Sequence, residues 1–215
     1  MASLKTLTVY SDYKSPYAFL AKDLIYALER EGPVRLDWLP YTLDIPSYLG
    51  SARIGERGEA IESSRTPHQW RKVRYAYKDC RRQANKRGLT ILGTQKIWDS
   101  SLANIGTLWA KRHGPEPFRG YHDRVFERFW RRELDIEAAA AIGGVLAEAG
   151  VPLAGWAEYA AGEGRRELQA IGAAAEALGV FGVPTFVLDG ELFWGREHLP
   201  DIRALLDTVT AQRVP

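Results

Sequence analysis

Alternating apolar and polar residues near the start of the chain predict a strand, a helix and a second strand. Residues 4–10 (LKTLTVY) alternate and are rich in β-branched and aromatic side chains, which favours a strand. Pro16 suits the first turn of a helix, and apolar residues then recur at helical spacing until the Glu-Gly-Pro at residues 31–33. Residues 34–41 (VRLDWLPY) alternate again. The three segments predict a β-α-β unit long enough for a parallel crossover.

From about residue 44 to residue 172 the strand pattern disappears and helical periodicity replaces it. One predicted helix has an apolar stripe made of Trp70, Val73, Tyr77, Cys80 and Ala84. Further helices are predicted over residues 101–112, 121–130, 136–149 and 167–178, and the last two are each followed by a glycine, as helix ends often are. The middle of the chain is therefore predicted to be all-helical.

Strand character returns at residues 185–194, where Asp189-Gly190 separates two short apolar segments and predicts a tight hairpin. A last amphipathic helix begins at Leu199. The order β-α-β, helical block, α-β-β-α predicts an α/β, thioredoxin-like fold with a large all-helical insertion between its two halves. We predict a thioredoxin-like domain of residues 1–43 and 173–215 and a helical insertion domain of residues 44–172.

Composition narrows the class of protein. The chain has 215 residues, 46% of them hydrophobic, which suits one domain or one domain with an insertion. A net charge of +2 argues against a nucleic-acid partner for the whole chain. The single cysteine excludes an internal disulfide and favours a reducing compartment. No secretory-signal pattern or membrane-length apolar run is present, so we predict a cytoplasmic protein with no membrane partner.

The helix start at Ser15 and the proline at Pro184 are the strongest candidates for a functional site. In the thioredoxin order these two places face each other, and the first one normally holds a Cys-x-x-Cys motif. Here it reads Ser15-Pro16-Tyr17-Ala18, without sulfur. The serine can cap the helix, or its hydroxyl can lower the pKa of a thiol that a ligand brings to the helix N-terminus; position alone leaves both roles open. We predict that the peptide bond before Pro184 is cis and that Val183 offers its backbone to an extended ligand.

Other chemistry-bearing residues give weaker signals. Cys80 lies on an apolar helix stripe and is expected to be a buried hydrophobe, and no His or Cys spacing indicates a metal site. The basic run over residues 65–87 is typical of a solvated helix face, since its aromatic residues fall on the apolar stripe. One or two of its cations can instead face the active cleft, and Lys72 and Tyr75 are the candidates there.

Four segments of the chain carry a resemblance to a known family. They are DYKSPYAFLA, RKVRYAYKDCRRQANKRGL, FERFWRRELDI and LGVFGVPTFVLDGELFWGREHL. The chain resembles the glutathione-dependent 2-hydroxychromene-2-carboxylate isomerases and the related kappa-class glutathione transferases. Both groups have a DsbA-type thioredoxin fold with a helical insertion and a serine in place of the first cysteine. The FWG tripeptide favours the isomerase branch.

The resemblance implies a glutathione cofactor and assigns residues to it. Ser15 would bind and activate the thiol, Val183 before Pro184 would pair with the cysteinyl backbone, and Lys72 would reach the cofactor. The γ-glutamyl end would meet Arg196 and Glu197, where the family usually has a small polar residue followed by aspartate.

On the substrate side, Tyr17, Lys72 and Tyr75 are the candidate residues. The resemblance implies an isomerase that acts on a small aromatic-catabolism intermediate, with glutathione regenerated in each cycle, and a homodimer. The alternatives are a kappa-like glutathione transferase and a non-redox DsbA-like protein that binds peptides.

Overall fold

The structure, a computed structural model, describes residues 4–211 and their side chains as far as residue 207. It begins with the predicted β-α-β unit. Strand β1 (Lys5–Ser11) is followed by helix α1 (Pro16–Glu31) and strand β2 (Val34–Pro40). The two strands pair in parallel along their whole length. The strand and helix periodicities of this region are therefore confirmed.

The C-terminal part completes one mixed sheet. Strands β5 (Thr185–Leu188) and β6 (Glu191–Trp194) form a hairpin with the predicted bounds, and α9 (Leu199–Ala211) follows. Positive φ angles at Asp189 (52°) and Gly190 (86°) supply the turn that such a hairpin requires. Because β5 pairs antiparallel with β1, the strand order is β2-β1-β5-β6. This is the predicted thioredoxin order.

Helices fill most of the segment between the two halves of the sheet. They are α2 (Ile45–Leu49), α3 (Pro67–Asn85), α4 (Ser101–Arg112), α5 (Pro115–Trp130), α6 (Ala139–Glu148), α7 (Trp156–Ala161) and α8 (Glu163–Ala177). The predicted helix at residues 101–112 is confirmed, whereas α5 begins six residues before its predicted start. Two prolines lie in the first turn of α5, where the missing N–H groups break no helical hydrogen bond.

The prediction that this middle segment is all-helical is wrong. Strands β3 (Ala52–Ile54) and β4 (Ala60–Ser63) form a separate two-stranded antiparallel sheet between α2 and α3. All four residues of β4 are exposed. A hairpin without a buried face has no need for alternating apolar residues, so the periodicity that identified the other strands is missing here.

One aromatic core joins the sheet to the inserted helices. The ring of Phe126 on α5 lies 4.8 Å from that of Tyr13 and 5.6 Å from that of Phe19 on α1. His122 of the same helix is hydrogen-bonded to the Tyr26 hydroxyl at 2.7 Å. The division into two domains stays a prediction, and its ends at residues 1–3 and 212–215 lie outside the described residues.

Candidate active site

Ser15 lies in the turn between β1 and α1, and its hydroxyl has two partners. The oxygen accepts a hydrogen bond from the Ala18 N–H at 3.2 Å, so the side chain caps the helix. The same hydroxyl donates to the Val183 carbonyl, also at 3.2 Å. Ser15 is only 4% exposed. The capping role is therefore confirmed, and the hydroxyl also lies against the loop that precedes Pro184.

That loop contains the predicted cis peptide bond, between Val183 and Pro184. The Pro184 carbonyl accepts the Gly195 N–H at 2.9 Å, which ties the loop to the end of β6. Val183 is 7% exposed and lines the cleft, and its N–H has no hydrogen-bond acceptor in the part of the chain that the structure describes. Fold and turn thus bring Ser15 and Val183 together across 168 residues of sequence and leave one backbone donor unsatisfied beside them.

Two buried charges fix the turn before Ser15, and sequence reasoning did not single them out. The Asp12 carboxylate accepts the Leu43 N–H at 2.8 Å, and the Lys14 ammonium donates to the Leu43 carbonyl at 2.8 Å. The carboxylate and the ammonium lie 3.8 Å apart, and both side chains are almost fully buried. One ion pair therefore binds both backbone groups of a single residue and holds the turn in place.

The sequence did contain one indication that Lys14 has a structural role, because its position is unfavourable for a cation. A cation directly before a helix N-cap is unfavourable, because the positive end of the helix dipole repels it. Such a residue needs another reason to be there. The structure supplies that reason in the bonds to Leu43 and Asp12.

Ser15 and Val183 open onto a cleft of about 1310 Å³. Its other walls are α2, the β3–β4 hairpin, α3 and the loop that follows α3. Aromatic side chains line much of it: Tyr17, Tyr48, Trp70, Tyr77, Trp98, Phe181 and Trp194. Small-molecule pockets typically have volumes of roughly 300–1,000 Å³. The cleft is therefore larger than a typical small-molecule pocket.

The charged residues that line the cleft are all cations. They are Lys14, Arg65, Lys72, Arg74, Arg81, Lys96 and Arg132. Among the described residues, no aspartate or glutamate belongs to the lining. A concave surface with charge of one sign concentrates ligands of the opposite sign, so the cleft favours an anion.

Tyr17 lines the cleft and lies near Cys80 of α3, close enough for the two groups to affect each other's pKa. Cys80 is fully buried. Burial raises the pKa of the thiol to about 11, so Cys80 stays protonated at neutral pH. The prediction that it is a buried hydrophobe is confirmed. Burial also raises the pKa of Tyr17, which keeps its hydroxyl a donor.

The two candidates on α3 have different places. Lys72 is exposed and lines the cleft, on the same helix as the cleft residues Val73 and Tyr77. Tyr75 is 64% exposed and lies outside the lining. The structure thus brings Lys72 to the site and leaves Tyr75 on the outer face of the helix.

Arg196 and Glu197 lie in a short 3-10 helix, Arg196–His198, directly after Gly195. Neither residue belongs to the cleft lining, and neither forms a hydrogen bond or ion pair within the described residues. The Glu197 carboxylate lies against Gly195, whose φ of 103° favours glycine. The Arg196 charge is near enough to Cys80 to oppose, in small part, the effect of burial on the thiol pKa. Both side chains therefore lie beside the site with free hydrogen-bonding groups.

Neither a metal-binding cluster nor a bilayer-spanning helix is found among the described residues. Within residues 4–211, no group of three or more His, Cys, Asp and Glu side chains is arranged to hold a metal ion. The buried imidazole of His122 bonds to Tyr26, and burial lowers its pKa well below the usual value. None of the helices in the described range combines the length and apolarity of a bilayer-spanning segment.

These features define a thioredoxin-type fold with a serine at the helix start, a cis proline opposite and no redox pair of cysteines. Residues 6–207 match the family described as the DSBA-like thioredoxin domain. The chain belongs to that family, which confirms the DsbA-type fold expected from the resemblance.

Individual relatives agree with this placement. A 2-hydroxychromene-2-carboxylate isomerase from Sphingobium xenophagum is 23% identical over 206 residues, covering 94% of this chain and 98% of the relative. A solved 2-hydroxychromene-2-carboxylate isomerase superposes with a TM-score of 0.75 at 20% identity, covering 96% and 97% of the two chains. The cytosolic disulfide reductase DsbM from Pseudomonas aeruginosa, solved with glutathione, gives 0.61 at 19% identity, covering 96% and 99%.

Proposed function

We propose that the chain is a glutathione-dependent isomerase of the 2-hydroxychromene-2-carboxylate isomerase type. The observation that carries the proposal is a pair of groups in the cleft lining, the Ser15 hydroxyl and the Val183 N–H, which has no acceptor among the described residues. Similarity to isomerases, and a relative solved with glutathione, support the choice of reaction and cofactor. The cationic, aromatic cleft suits an aromatic carboxylate as substrate.

The residues present fit glutathione. An extended cysteinyl residue needs a backbone donor and acceptor, and Val183 offers both next to Pro184. The thiol needs a hydrogen-bond donor and a positive environment, which the Ser15 hydroxyl and the N-terminus of α1 supply. Lys72 is the proposed partner for a carboxylate of the cofactor, and Arg196 and Glu197 are the proposed partners for its γ-glutamyl end.

When bound, glutathione supplies a thiolate that adds reversibly to the conjugated substrate and is recovered after the isomerisation. The Ser15 hydroxyl has one hydrogen, now donated to the Val183 carbonyl. In the proposed reaction this hydroxyl turns to the sulfur, and the carbonyl accepts a ligand N–H instead. Tyr17 and Lys72 then bound the substrate side of the cleft, where the Lys72 ammonium adds to the positive charge that attracts an anionic ligand. Tyr75 lies outside the lining and adds no support.

Two further parts of the proposal concern the protein as a whole. A cytoplasmic location suits a glutathione-dependent reaction and a chain whose single cysteine is free and buried. A homodimer is proposed from the resemblance alone. Dithiol–disulfide exchange within the chain is excluded, since one cysteine cannot form the required pair.

Calorimetric titration with glutathione, followed by turnover assays, tests the proposal. We expect heat of binding at millimolar glutathione or below, and glutathione-dependent conversion of 2-hydroxychromene-2-carboxylate followed by ultraviolet absorbance. Rapid conjugation of a chlorinated nitrobenzene with no isomerisation would instead identify a kappa-like transferase. No heat with glutathione, together with binding of extended peptides, would identify a non-redox binding protein and overturn both enzyme readings.

A further inference from the structure

Two arginines share one tryptophan at the start of α3. The guanidinium carbon of Arg65 lies 5.0 Å from the centre of the Trp70 ring, and that of Arg74 lies 5.6 Å from it. Thr66 caps the helix in a reciprocal capping box with Gln69, which fixes the helix start between the two arginines. Arg74 follows Trp70 by one helical turn and so falls on the same side. Arg65, Trp70 and Arg74 form what we call the arginine cluster, and all three residues line the cleft.

Neither guanidinium has a carboxylate partner among the described side chains. Arg65 has one long hydrogen bond, from Nε to the Gly50 carbonyl at 3.4 Å, and Arg74 has none. Each guanidinium carries five N–H donors, so most of them are free to bind a ligand. Burial lowers the pKa of Arg65, which shows that its charge is partly removed from water without a compensating anion.

Most cations of the cleft lining have no carboxylate partner among the described residues. Lys14 pairs with Asp12 and Lys96 pairs with Glu137. Lys72 and Arg81, like Arg65 and Arg74, line the cleft without such a pair, so the start of α3 presents uncompensated positive charge.

The arginine cluster also lies well away from Ser15. Trp70 precedes Cys80 by ten residues on α3, which corresponds to about 15 Å along the helix axis. Cys80 lies near Tyr17, two residues after Ser15. Beyond its central cysteine, a glutathione bound at Ser15 extends by only one residue on the glycyl side, roughly 3.5 Å of backbone. The arginine cluster therefore lies at the end of α3 away from Cys80, where a ligand other than glutathione can bind.

We propose that Arg65 and Arg74, held on Trp70, form a carboxylate subsite that binds the far end of the substrate. The substrate class is an aromatic compound with a carboxylate remote from the carbon that reacts near Ser15. Each guanidinium matches the planar geometry of a carboxylate, and contact with the indole holds it beside the Trp70 ring. The assignment to substrate rests on the proposed function, whereas the binding of a carboxylate does not.

Isothermal titration with 2-naphthoate tests the subsite directly, with 2-naphthalenemethanol as the neutral analogue. Titrations are run with and without saturating glutathione on the native chain and on Arg65→Gln/Arg74→Gln. We expect the double variant to bind 2-naphthoate about tenfold more weakly or worse, with the neutral analogue unaffected. Arg71→Gln/Lys78→Gln is the matched control, because it removes two charges from the same helix at positions outside the lining. Arg65→Lys/Arg74→Lys, which keeps the charge, should bind with intermediate affinity.

Three results would overturn the proposal. They are no binding of 2-naphthoate to the native chain, equal affinity in Arg65→Gln/Arg74→Gln, and equal weakening in Arg71→Gln/Lys78→Gln. If instead the double variant loses affinity for glutathione and keeps it for 2-naphthoate, the carboxylate belongs to the cofactor and the assignment to substrate is wrong. If the native chain binds 2-naphthoate through the two arginines but does not bind glutathione, the carboxylate subsite is supported and the proposed function is wrong.

Discussion

The two sides of the cleft differ in how their polar groups are satisfied. On the side of the sheet, Ser15, Lys14 and Asp12 are buried, and each is bonded to backbone groups. On the side of α3, Lys72 is exposed and has no carboxylate partner within the described residues. Buried groups with fixed partners keep one geometry, whereas long exposed cations keep rotamer freedom. The first side is therefore suited to position a reacting atom, and the second to select ligands by charge.

The freedom on the second side belongs to the side chains and not to the helix. Cys80 and Ala84 of α3 are buried against the core, and the capping box at Thr66 fixes the start of the helix. The cations that line the cleft from α3 are therefore attached to a rigid helix. The comparison predicts that changes on the sheet side alter both chemistry and stability, while changes on the α3 side alter binding alone.

The largest expected effect is that of Ser15→Ala. Without the hydroxyl, the thiolate loses a hydrogen bond, and turnover should fall by about 10²–10³-fold. The free energy of unfolding should fall by only about 1 kcal/mol, the usual value of a helix cap. Steady-state assays, the ultraviolet titration of bound glutathione and urea unfolding measure the three quantities.

Thr66→Ala is the matched control for this change, because Thr66 also caps a helix but does not line the cleft. It should lose a similar amount of stability and keep turnover near the native value. If Ser15→Ala behaves in the same way as Thr66→Ala, Ser15 is a structural cap and the sheet side has no special role.

Lys14→Met should cost about 2–4 kcal/mol of unfolding free energy, measured in urea. It removes the donor to the Leu43 carbonyl and leaves the Asp12 carboxylate buried without its cation. Lys5→Met is the control, since Lys5 pairs with Asp189, whose side chain is 63% exposed. Such pairs contribute about 1 kcal/mol or less. Equal losses in the two variants would show that burial does not distinguish the turn before Ser15.

Features of the fold set by neighbouring residues were predictable from the sequence. Ser15 with Pro16 has the local signature of a helix start, and Asp189-Gly190 has that of a hairpin. The order of elements predicted that Ser15 and Val183 face each other, because the thioredoxin order brings those two loops together. Each of these predictions used information within a few residues or a fixed topology.

Features set by distant contacts were not predictable. The burial of Lys14 depends on a backbone group 29 residues away, and no periodicity reports such a contact. The outward position of Tyr75, and the contact of both Arg65 and Arg74 with Trp70, depend on which face of α3 the core covers. The β3–β4 hairpin has an exposed strand and thus no pattern to detect.

Cys80 provides a pH test of how tightly α1 and α3 are packed together. Its thiol pKa is raised from 9.0 to about 11, so the folded state favours the protonated form. This stability is fully present below pH 9 and is lost as the pH rises towards 11. Relative to Cys80→Ala, the native chain should lose about 2 kcal/mol between pH 8 and pH 10.5. A difference between the two chains that stays constant over this range would show that the thiol is not desolvated.

The smallest effect is expected on the α3 side, from Lys72→Met. The variant should raise KM for glutathione about fivefold, the value of an exposed ion pair, with kcat and the free energy of unfolding close to native. Lys78→Met is the control, because it removes the same charge from the same helix outside the cleft lining. An equal rise in KM for both variants would mean that α3 acts only through the overall electrostatic field of its charges. A large fall in kcat for Lys72→Met would place part of the chemistry on the α3 side of the cleft. Either result would break the division of roles between the two sides, because that division requires a charge on α3 to act on binding and only from within the cleft.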